Sequence, residues 1–189
     1  MDIDCNHTNR EVHMSMLSYV QDALTRFRHD HPRKLQDQPY PHAKPTYGSK
    51  AQYATDADSS PLRSPLQNKF VQEVTGTFLY YAQSIDATML PALGTIATQH
   101  SSRTENTMHK INKFLSYAAT HPDAIITYRA SNMILAAHSD ASYLSESKAR
   151  SIVGGHFFMS DDIAILSKNG SVFTISQIIK AVMSSTAEA

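Results

Sequence analysis

The chain has 189 residues, of which 41% are hydrophobic and 18% charged, enough apolar material to bury the core of one large domain or two small ones. Lys+Arg and Asp+Glu both number 17, so the net charge is zero and no overall basic field draws the chain to nucleic acid. The single cysteine, Cys5, excludes an internal disulfide framework or a CxxC metal knuckle and fits a reducing compartment.

No stretch of about 18 consecutive apolar residues is present, so a membrane span is not expected. Asp2 and Asp4 stand where a secretory leader would carry basic residues and an apolar run, and no signal peptide is expected. The expected location is cytoplasmic or nuclear, not secreted.

Residues 10–16, Arg-Glu-Val-His-Met-Ser-Met, alternate polar and apolar, with Val12, Met14 and Met16 on one side. That period of two predicts a short strand. From Leu17 the period lengthens, and Leu17, Val20, Leu24 and Phe27 form one helical stripe. The helix is expected to end before His31-Pro32, because the residue before proline is pushed out of helical angles. Residues 29–66 then hold Pro32, Pro39, Pro41, Pro45, Pro61 and Pro65, six of the eight prolines. This composition predicts an extended linker.

Phe70, Val71, Val74, Phe78, Tyr81 and Ala82 fall in helical register, interrupted by Gly76. Another helix is predicted from about Ala87 to Gln99, with Pro91 tolerated in its first turn. Thr104 can cap a further helix whose buried stripe is Met108, Ile111, Leu115 and Ala118, closing near His121-Pro122. Strand patterns follow at Ile125–Tyr128, Ile134–Ala141, Ser151–Met159 and Ser171–Ser176, with Asn169-Gly170 marking the last turn. The expected class is α+β. Its units are a strand and helix over 1–28, a Pro-rich linker over 29–66, helices over 67–122 and a β-rich part over 123–189.

Several sequence features, taken in order, resemble the reverse transcriptase–ribonuclease H region of copia-type retrotransposon polyproteins. Arg10-Glu-Val-His-Met-Ser-Met16 and Tyr19-Val-Gln-Asp-Ala-Leu24 look like the strand and helix that follow the polymerase palm in that family. Val74-Thr-Gly-Thr-Phe-Leu-Tyr-Tyr-Ala82 looks like its G-x-L-x-Y helix, and Thr104 to Leu115 resembles the helix leading into the nuclease. Ser139-Asp140-Ala141-Ser142-Tyr143 matches the family's S-D-A-D/S-Y strand, and Ser184-Ser185-Thr186-Ala187-Glu188-Ala189 the start of its S-S-x-x-E-A-E helix.

The resemblance implies a thumb and connection segment followed by an incomplete ribonuclease H-like sheet of about three antiparallel strands. It also implies a parent that copies RNA into DNA and degrades the RNA of the hybrid with Mg²⁺. Asp140 takes the inherited metal-ligand position. The implied partners are a template–primer or RNA–DNA hybrid and the rest of the element's polyprotein, within its virus-like particle.

Two departures shape the functional expectation. The Y-x-D-D turn that holds the polymerase aspartates lies upstream of the matched region, and no such motif occurs here; Asp161-Asp162 follow Met159-Ser160 instead. At the other end Glu188 aligns with the first glutamate of E-A-E, which sets the catalytic one beyond Ala189. Two residues along a helix turn a side chain by about 200°, so Glu188 does not substitute. Hybrid cleavage uses two Mg²⁺ ions held by carboxylates from several elements, and Asp140 supplies one. The expectation is a truncated polyprotein fragment, inactive alone and needing no cofactor.

Two binding features remain. Arg26, Arg28, Arg33 and Lys34, with Lys44 and Lys50 beyond them, could lie along a phosphate backbone, and they motivate an alternative: a nucleic-acid or element-protein binding module. The histidines His29, His31, His42 and His138 match no closed zinc spacing.

Overall fold

The structure is a computed structural model that describes residues 1–41, 60, 65–99, 104–146, 150–162 and 168–179, with only the backbone at 65–67 and 143–146. It is a mixed helix-and-sheet fold with two small antiparallel sheets, so the α+β class expected from the sequence holds. The strands are β1 (Asp2–Asn6), β2 (Glu11–Ser15), β3 (Ile125–Arg129), β4 (Ile134–Glu146), β5 (Arg150–Ser160) and β6 (Ser171–Ile178). The helices are α1 (Leu17–Arg26), α2 (Pro65–Ser84), α3 (Leu90–Thr98) and α4 (Glu105–Thr120), with a 3₁₀ turn at Ala87–Met89 before α3. Among the described residues, no helix is long and apolar enough to cross a membrane.

The first sheet has the order β1-β2-β3. Its last strand arrives more than a hundred residues after the hairpin, pairing Met14 with Ile126 and Val12 with Tyr128. Met14 and Ile126 share a face, as cross-strand partners must, and both pack against the helical core. The second sheet is a meander of order β4-β5-β6, in which Asp140 lies opposite Gly154 and His138 opposite His156.

The core is built mainly by the helices. Val20, Leu24 and Phe27 reach in from α1 and its cap, Val71, Val74, Phe78 and Tyr81 from α2, Leu93 and Ile96 from α3, and Ile111, Phe114 and Leu115 from α4. Phe78 and Phe114 meet edge to face with ring centroids 5.2 Å apart, the arrangement that ring quadrupoles favour. Leu17, expected on the same stripe as Val20, is exposed, and Met108 is only partly buried. Gly76 does not interrupt α2, which runs through it unbroken.

The helix boundaries have local causes. Thr104 accepts a hydrogen bond from the Thr107 amide at 3.3 Å, while Thr107 Oγ1 accepts from the Thr104 amide at 3.2 Å. This reciprocal capping box starts α4. Pro91 sits in the first turn of α3, where its missing N–H costs nothing.

The end of α1 comes earlier than Pro32 requires. Arg28 adopts φ 53°, its amide donates to the Thr25 carbonyl, and the His29 amide donates to the Leu24 carbonyl, both at 3.0 Å. That pair of bonds is a Schellman ending with an arginine in the left-handed position usually given to glycine.

Candidate functional site

Asp140 sits in the middle of β4, exposed, with its carboxylate Oδ1 accepting a hydrogen bond of 2.8 Å from the Ala141 amide. Side chains two apart along a strand share a face, so Asp140 stands on the same side as His138 and Ala136. On the facing strand, Gly154 lies opposite Asp140, while His156 and Phe158 continue the row. Phe158 is fully buried, and both imidazoles rest on its ring: His138 nearly parallel at 5.2 Å and His156 tilted at 5.4 Å between centroids. The sequence paired His138 with Asp140 by proximity alone. His156 carries no such signal in sequence, because Ser-Ile-Val-Gly-Gly-His-Phe-Phe-Met over 151–159 does not alternate apolar and polar, and only the strand register puts it on that face.

A second carboxylate does not join Asp140 among the described residues. Asp161 follows the end of β5, seven residues beyond Gly154, or roughly 20 Å along the strand direction. Its carboxylate is occupied in structure: Oδ1 accepts from the Asn132 amide at 3.1 Å, and the Asp161 carbonyl accepts from the Asn132 side chain at 3.0 Å. Among the described residues no three His, Cys, Asp or Glu side chains converge on a point. Among the described residues, the side chains around Asp140 do not supply the several carboxylate oxygens from different elements that a pair of Mg²⁺ ions needs. Glu188 and the rest of 180–189 lie outside the described residues.

The four basic residues singled out in the sequence occupy a different region. Arg26 ends α1, Arg28 forms its left-handed turn, and Arg33 and Lys34 lie in the segment that follows; all four side chains are exposed. Arg26 lies 4.0 Å from Glu73 on α2 and stacks its guanidinium over the Phe27 ring at 5.0 Å. An exposed pair at that separation contributes little, so the guanidinium remains available to an anion. Lys44 and Lys50, together with His42, lie outside the described residues.

The segment carrying Arg33 and Lys34 is tied to the end of α4. His29 Nε2 lies 3.1 Å from Ser116 Oγ, the Gln36 amide donates to Thr120 Oγ1 at 3.2 Å, and His121 Nε2 lies 3.2 Å from Asp37 Oδ1. Between this strap, α1 and α4 is an open recess of about 300 Å³ lined by Gln21, Leu24, His29, His31, Ala119, Thr120 and Pro122. Burial holds the His29 imidazole below its ordinary pKa, with the charge of Asp30 acting in the opposite sense. Of the histidines weighed in the sequence, His29 serves here as a tether to α4.

Comparison of the chain with family models, curated proteins and solved structures gave no match.

Proposed function

We propose that the chain is a segment of a copia-type retrotransposon polyprotein, spanning the thumb and connection part of a reverse transcriptase and the first strands of its ribonuclease H domain. The observation that carries the reading is Asp140 in mid-strand on β4, the first strand of an antiparallel meander β4-β5-β6. The sequence around it, Ser139-Asp140-Ala141-Ser142-Tyr143, matches the family's nuclease strand. On this reading the whole polyprotein copies RNA into DNA and cleaves the hybrid with Mg²⁺, in the cytoplasm or nucleus and inside the element's particle.

These 189 residues alone perform neither reaction in this account, because Asp140 is one ligand where two metal ions need several. The test is incubation of the chain with an RNA–DNA hybrid and Mg²⁺. The expected result is intact RNA with the wild type and with Asp140→Asn alike. Cleavage that Asp140→Asn abolishes would overturn the assignment of inactivity.

A second reading, a retained nucleic-acid or element-protein binding module, rests on the exposed Arg26, Arg28, Arg33 and Lys34. Phosphate contacts release counterions, so binding weakens steeply with salt. Replacing one contacting arginine by alanine is expected to reduce that salt slope by about 1. Hybrid affinity that is absent at low salt would remove this reading.

A further inference from the structure

Among the described residues, the seam between the two sheets is centred on one side chain. Asn169, just before β6, donates from Nδ2 to the Arg129 carbonyl of β3 and to the Met159 carbonyl of β5, each at 2.9 Å. Its Oδ1 accepts from the Arg129 amide at 2.7 Å and from the Gly170 amide at 2.9 Å. One amide group thus uses both its donors and its acceptor oxygen to join a strand of the first sheet to a strand of the second. The Tyr128 hydroxyl reinforces the seam by donating to the Ser171 carbonyl at 2.9 Å. Only an amide side chain offers donors and an acceptor on one planar group of this size.

The next residue is equally constrained. A Cβ on Gly170 would lie 2.8 Å from Tyr128 Cδ1 and 2.9 Å from the Thr127 carbonyl oxygen, closer than real contacts allow, so the approach of β3 demands glycine. The two demands together write Asn-Gly at the seam. In that dipeptide no side chain shields the nitrogen that follows the asparagine, and here the Asn169 amide is already folded back over that nitrogen.

We propose that Asn169 is a site of spontaneous deamidation, and that the product leaves the two sheets untied. The Gly170 backbone nitrogen attacks Asn169 Cγ and forms a bond to it. The Cγ–Nδ2 bond breaks, and ammonia leaves with the proton lost from the Gly170 nitrogen. Water then opens the five-membered imide at either carbonyl, giving aspartate or isoaspartate. Proximity of the reacting atoms favours ring closure. The two bonds from Nδ2 oppose it, so the reaction runs in molecules whose seam has momentarily opened. The product is a carboxylate with no donor, set against the Arg129 and Met159 carbonyl oxygens, and the seam cannot reform as it was.

The experiment incubates the folded chain at mildly alkaline pH and follows the tryptic peptide Asn169–Lys180 by mass spectrometry. The expected result is progressive replacement of the amide by a carboxyl at Asn169, with both isomers present, and none in Asn169→Gln. The modified molecules, separated by their added negative charge, are expected to exchange backbone amides in β3 and β6 on the order of tenfold faster. Asn169→Asp, which carries the aspartate product, is expected to melt below the wild type, as is the aged protein. An unmodified peptide from the folded chain, alongside rapid modification in denaturant, would overturn the site. An Asn169→Asp variant as stable as the wild type would overturn the untying.

Discussion

At Arg28 the backbone is left-handed, with φ 53°, a conformation that disfavours a residue with a Cβ by about 1 kcal/mol. Glycine would end α1 with the same two Schellman bonds and without that cost. Arg28→Gly is therefore expected to raise stability by about 0.5–1 kcal/mol, measured as a higher urea midpoint with unchanged slope. If the basic group binds nucleic acid, the same substitution weakens hybrid binding at low salt, so stability and affinity move in opposite directions. His29, one residue on, gives a pH signature. Its folded pKa is lowered from 6.5 by burial, so the unfolded chain takes up the proton more readily. Its contribution to stability is present above the ordinary value and lost as pH falls below about 6.5 toward the folded value. A pH series of denaturation midpoints is expected to fall over that range less steeply in His29→Gln.

At the level of elements, the helices were legible because each carries its own burial pattern. The stripe Val71, Val74, Phe78, Tyr81 in α2 and the stripe Ile111, Leu115, Ala118 in α4 face one shared cluster, so spacing in sequence reported packing in space. β1 carries no strand signal of its own, because Asp2-Ile3-Asp4-Cys5-Asn6 is short and even Ile3 is 61% exposed; only its pairing with β2 makes it a strand. Asn169-Gly170 read as a turn signal because its dipeptide suits turns. Its partners on Arg129 are 40 residues away, and no local pattern announces them. Gly76 read as an interruption, yet nothing lies within 4 Å of a Cβ placed there. Gly76→Ala is expected to stabilise α2 by about 0.5–1 kcal/mol, and a lower thermal midpoint would contradict the unbroken helix.

Across the whole molecule, stability is unevenly distributed. The large buried cluster is drawn chiefly from the helices and Met16, whereas Ala136 and Phe158 are the buried hydrophobics that the second sheet contributes among the described residues. Leu135, Val172 and Phe173 on β4 and β6 are 63%, 53% and 58% exposed, so this sheet gains less from apolar burial. Its amides are expected to exchange before those of α2 and α4; protection equal to that of the helices would contradict this ordering. The placement of Asp140 on a strand was legible from the apolar-rich run Ile134–Ala141 around it. What the sequence could not convey is that Asp161 is committed to Asn132 and sits far along the sheet, because that depends on strand register. The central claim is descent from a copia-type polyprotein, and it is tested most directly by sequencing the genomic DNA that flanks the codons for Met1 and Ala189. The expected result is palm sequence with a Y-x-D-D turn upstream, intact or decayed, and a second nuclease glutamate followed by further aspartates downstream. Flanks that encode neither would contradict the account.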